Sequence, residues 1–158
     1  MTSRRRSPAR VAAGFLLRTT LVHVLTYLVI GALSYRLLAR PLWEGAARLP
    51  GMRDLQSPAV QALILPGQVL RGLLLGLAFL PLRTFLLGSG RAGGLILASL
   101  LLLLGSLAGI SGQIEIWLYT TGFHPKLFLA HLPETILQSL AFGYLLLAWE
   151  RRGAAREA

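Results

Sequence analysis

With 158 residues, 54% of them hydrophobic and 14% charged, and a mean hydropathy of +0.63, the chain is too apolar for an ordinary water-soluble domain. The formal charge of +10 does not mark a nucleic-acid binder, since such binding needs basic residues clustered on one face. Here the groups at Arg4, Arg5, Arg6, Arg10 and Arg18, at Arg83 and Arg91, and at Arg151, Arg152 and Arg156 each flank an apolar stretch. Without cysteine, disulfides, thiolate catalysis and cysteine-based metal sites are excluded.

The basic N-terminus leads into an apolar run over residues 11–38, longer than the roughly 7–15 residues of a signal-peptide core, which predicts a retained anchor. A hydrocarbon layer about 30 Å thick needs about 20 apolar residues in helix. Four segments meet that need, at about residues 15–38, 59–82, 93–114 and 127–149. The expectation is therefore an all-α protein forming one transmembrane domain, a four-helix bundle with short interfacial or re-entrant helices as an option in the outer loops. Residues 40–58 form the first loop, 88–94 a tight glycine turn, and 113–126 the last connection.

Orientation follows from the basic residues, which are retained on the cytoplasmic side. Ten lie in the N-terminal tail, the glycine turn and the C-terminal tail. Five (Arg36, Arg40, Arg48, Arg53 and Lys126) lie opposite, and Arg71 falls inside a span. An even number of spans then puts both termini in the cytoplasm of a multi-pass inner-membrane protein. Trp43, Trp117 and Tyr119 mark the outer edge, and Tyr144 and Trp149 the inner one. Pro66 and Pro133 are compatible with a kink inside a helix or with its first position, where a missing N–H costs nothing.

Gly72 with Gly76 and Gly105 with Gly109 are small-xxx-small pairs of the kind that lets helix backbones approach closely in lipid, although glycine is also simply common in such helices. Each span carries a polar stripe: Thr19, His23, Tyr27 and Ser34; then Gln61, Gln68 and Arg71; then Ser99, Ser106 and Gln113; then His131, Glu134 and Gln138. Buried polar groups in lipid must find partners within the protein, so the stripes are expected to converge on the bundle axis.

Arg71 and Glu134 lead the candidate intramembrane site, because a charge near the bilayer centre costs roughly 2.5–3.5 kcal/mol on insertion scales and calls for compensation. Arg71 is alternatively an arginine that snorkels outward, and Glu134 a carboxylate complementing the dipole of a helix begun at Pro133. His131 shares the face of Glu134, which suits a proton relay or a hydrogen-bonded bundle residue equally. Gln68 and Gln138 join the candidate site, and Glu115 stands at its mouth or in solvated loop. His23 and His131 fall in opposite halves of the membrane, which argues against a shared haem, and His124 is interfacial.

No phosphate loop, H-E-x-x-H motif or nucleophile elbow is present, and Asp54 is the only aspartate. No cofactor or metal is expected. The composition points to a transporter or channel-like module, or to an accessory subunit of a membrane complex. Its partners are then the lipid bilayer and a second copy or larger assembly, and not nucleic acid. A small enzyme or binder acting on a lipid or other amphiphile is the alternative.

Overall fold

The computed structural model describes residues 7–43, 56–105, 110 and 125–155. In chain order these form α1 (Pro8–Ser34), a π turn (Tyr35–Ala39), α2 (Arg40–Trp43), α3 (Pro58–Phe79), a 3-10 turn (Leu80–Leu82), α4 (Arg83–Gly88), α5 (Ala92–Leu104) and α6 (Pro125–Ala155). No strand occurs among the described residues.

Helix starts follow the proline rule at positions other than those weighed from sequence. Pro8 and Pro58 occupy the first turns of α1 and α3, and α6 opens on Pro125. Ser57 caps α3 by accepting the Val60 N–H at 3.4 Å. Pro66 and Pro133 instead lie inside α3 and α6, where each removes one backbone bond and crowds the preceding turn. The π turn precedes Pro41, which cannot continue the ladder; there the Arg40 N–H bonds the Tyr35 carbonyl. Gly90 turns the chain from α4 into α5 at φ +55°, a left-handed conformation open to glycine at no steric cost.

Two continuous helices, Pro8–Leu38 and Pro58–Gly88, are long and apolar enough to cross a membrane; each has 31 residues, or about 46 Å at 1.5 Å per residue. Only 28% and 17% of their most apolar windows are buried, whereas the core helix of a soluble protein would be mostly covered. Leu17, Leu21, Leu25 and Leu28 on α1 and Leu70, Leu73, Leu74 and Leu77 on α3 are all exposed. The buried set includes Thr19, Thr20, His23, Thr26, Ser139 and Glu150. An exposed leucine surface with polar side chains held inside beside an apolar core is not the pattern that water imposes.

The main helix contacts run α3 to α1, α1 to α6 and α6 to α5, with α4 touching both α5 and α6. The apolar core lies toward the α4–α5 turn. Phe15 and Val22 meet Phe79, Leu97, Phe142 and Leu146 there, and the Phe79 and Phe142 rings stand 6.4 Å apart. Small residues make the close approaches: a Cβ on Gly72 would lie 2.8 Å from Thr20 Cα, and one on Gly94 would lie 2.9 Å from the Tyr144 ring. Gly76 sits against Leu16 and Thr19, and Gly143 against the backbone of Gly94 and Ala98.

Gly105 differs from its expected role. It caps α5, donating its N–H to the Leu101 carbonyl at 3.0 Å, and its nearest neighbours are atoms of Leu101 in its own helix. α5 ends at Leu104 and residue 110 is again helical; residues 106–109 and 111–114 of the expected third span lie outside the described residues. Gly109 lies outside the described residues.

Candidate functional site

Polar residues meet at two levels of the bundle. At mid-depth, α1, α3 and α6 each contribute. His23 Nε2 and Gln68 Oε1 form a 3.0 Å hydrogen bond between α1 and α3, which requires the ring to donate from Nε2. The His23 ring also stands 6.4 Å from Tyr27 and meets Phe142 edge-on at 6.2 Å. On α6, His131 Nδ1 lies 2.8 Å from Glu134 Oε2, an i,i+3 pair on one face. The other oxygen of Glu134 rests over Gly31 of α1, where a Cβ would come to 3.3 Å.

Tyr27 lies within electrostatic reach of both Glu134 and Arg71. Arg71 is half-buried and also acts on His23 electrostatically, yet among the described residues it makes no hydrogen bond or ion pair. Its expected countercharge is thus taken up locally, by the histidine one turn away from Glu134. Gln138 is half-buried one turn further along α6. Glu115, His124, Ser106 and Gln113 lie outside the described residues.

The stripes converge in part. Thr19 of the α1 stripe, with Thr20 and Thr26 beside it, buries its hydroxyl by donating to a carbonyl of its own helix (Phe15, Leu16 and Val22 respectively, at 2.8–2.9 Å), so of the stripe His23 is the one whose bond to another helix is seen. Ser34 Oγ is buried without a partner among the described residues. Ser99 faces away from the cluster and lines an apolar groove of about 400 Å³ along α5.

The second level, at the end of the bundle bearing the chain termini and the glycine turn, centres on a residue that sequence reasoning passed over. Glu150 is fully buried and accepts from two helices: Arg18 Nε of α1 bonds one carboxylate oxygen, and Arg83 of α4 bonds the other through Nε at 2.9 Å and Nη2 at 2.8 Å. The neighbouring Arg151 ties the turn to α6 by donating to the Gly90 carbonyl. One signal could have found this site. A carboxylate near the C-terminus of a helix opposes the macrodipole, and Glu150 sits there between Trp149 and two arginines, so it demands countercharge from elsewhere in the fold.

At the lower level the charged groups pair with one another across helices, whereas Arg71 at the upper has no hydrogen-bond or ion-pair partner among the described residues. Among the described residues no three histidine or acidic side chains gather to hold a metal ion. Comparison with known proteins returned no matching family, no matching characterised protein and no matching solved structure.

Proposed function

We propose that the chain is a four-span inner-membrane protein with both termini cytoplasmic, its spans those expected from the sequence at about residues 15–38, 59–82, 93–114 and 127–149. In this reading it works as a module of a membrane assembly, as a transport-type unit or an accessory subunit, rather than as a free-standing catalyst. The observation that carries the reading is the long exposed leucine surface of α1 and α3, with Thr19, His23, Thr26 and Glu150 buried behind it. Lipid tolerates such a surface and water does not.

The pairs His23–Gln68 and His131–Glu134 favour a load-holding interior over an aqueous path, because the groups that would line such a path bond one another. Single cysteines at Ser7 and Ala155 should resist impermeant thiol reagents in intact cells while one at Gln56 reacts; labelling of either terminus from outside overturns the orientation. Native mass spectrometry from nanodiscs should find the chain in a complex, with itself or with other subunits. A monomer at every protein concentration would remove the assembly reading.

Arg71 favours a second reading, a binder of lipid or another amphiphile with an acidic group. A guanidinium that has no partner among the described residues is costly at mid-membrane unless an anion joins it. Under that reading Arg71→Leu abolishes co-purification of an acidic lipid that the parent protein retains.

A further inference from the structure

We propose that the bundle end at Glu150 binds the phosphate of an anionic phospholipid, using the guanidinium N–H groups of Arg18 and Arg83 that Glu150 leaves unused. The proposal rests on the reading of the chain as a membrane protein. Each guanidinium carries five N–H donors in a fixed fork. Arg18 uses its Nε and Arg83 its Nε and Nη2, so both terminal nitrogens of Arg18 and Nη1 of Arg83 keep their hydrogens free among the described residues.

The two arginines reach the surface and the carboxylate does not. The Glu150 side chain is 0% exposed while both arginines are 20% exposed, so the carboxylate backs the two forks from inside the protein. Arg18 reaches back along α1 over Gly14, whose Cβ would come 3.3 Å from Nη2 and 3.4 Å from Nη1. Its terminal nitrogens are thereby directed toward the N-terminal end of the helix, as side chains in helices lean.

Charge and depth select the ligand. One carboxylate between two guanidinium groups leaves an excess of one positive charge. Arg91, Arg151 and Arg152 add to it at the same end, and Glu150 is the only acid there among the described residues. Trp149, next to Glu150 and exposed, belongs at headgroup level. Leu82 and Phe85 flank Arg83 and are exposed, which offers an apolar surface to an acyl chain beside the phosphate site. Free phosphate shares the headgroup's chemistry but leaves those side chains bare. Forked guanidinium donors match phosphate oxygens two at a time, which a lysine cannot reproduce.

The test uses the full chain in nanodiscs of phosphatidylcholine, with and without phosphatidylglycerol, read by melting temperature and by native mass spectrometry of retained lipid. Phosphatidylglycerol should raise the melting temperature of the parent protein and stay bound. R83K and R18K keep a positive charge beside Glu150, so the fold survives, but phosphatidylglycerol retention should fall about tenfold, the effect of one lost charge-assisted hydrogen bond. R36K, at the opposite end of the bundle, should retain it fully. The proposal is overturned by a parent protein indifferent to phosphatidylglycerol, by equal losses in R36K and R83K, or by equal stabilisation from inorganic phosphate. Release of the chain from cell membranes by alkaline carbonate would instead overturn the membrane reading beneath it.

Discussion

The lower and upper polar levels of this bundle solve the same electrostatic problem in opposite ways. At the lower level one buried carboxylate is shared by arginines from two other helices, so Glu150, Arg18 and Arg83 bind α6, α1 and α4 together. At the upper level the carboxylate of Glu134 is answered within its own helix by His131, and Arg71 on α3 has no hydrogen-bond or ion-pair partner among the described residues. Charge pairs between helices fix their relative depth and rotation; a pair within one helix fixes neither. The lower level is therefore the lock of the fold, and the upper level is where one helix can shift against another at least cost.

The largest test of that contrast is Glu150→Gln, which leaves two guanidinium groups facing a neutral amide. A loss of about 3 kcal/mol is expected in nanodisc melting or denaturant titration, the scale for breaking a buried pair from one side. Replacing all three members with apolar residues of similar volume should recover most of it. If Glu150→Gln melts like the parent, the lower level is not the lock.

Next in size are the glycine contacts that bring α3 onto α1. Gly72→Ala forces a Cβ into Thr20 and should cost about 2 kcal/mol, whereas Gly67→Ala, with open space around it, should gain about 0.5 kcal/mol from helix propensity. Equal effects at the two positions would show that α3 does not approach α1 at Gly72.

Smaller again is the His23–Gln68 bond, for which a double-mutant cycle with His23→Ala and Gln68→Leu should give a coupling of about 0.6 kcal/mol, as for side-chain bonds between helices in membranes. The smallest is Arg71 with Glu134. Since the carboxylate bonds His131 instead, Arg71→Leu and Glu134→Gln should add to within about 0.5 kcal/mol. A coupling as strong as that across Glu150 would erase the distinction between the two levels.

How much of this was legible beforehand differs by residue. The glycine pair Gly72 and Gly76 was visible as spacing, and both lie against α1, because close approach needs only small residues on one face. Gly94 and Gly143 make equally close contacts but sit in no such pair with each other; they meet only when α5 packs on α6. Pro66 and Pro133 looked like helix starts as readily as interior positions, since the capping by Ser57 and the starts at Pro58 and Pro125 decide between them. Arg18 and Arg83 read as topology markers, because a basic residue at a span end looks the same whether it meets water or a buried carboxylate.

By itself, the sequence determined the helical class, the approximate apolar segments and the sign of charge at each end, because hydropathy and positional charge are local properties of consecutive residues. Only the tertiary structure decided which charged groups meet. A period of 3.6 residues places His131 beside Glu134 within a helix. It leaves the depth and rotation of separate helices free, and those alone bring Arg18 and Arg83 to Glu150 while holding Arg71 apart from Glu134.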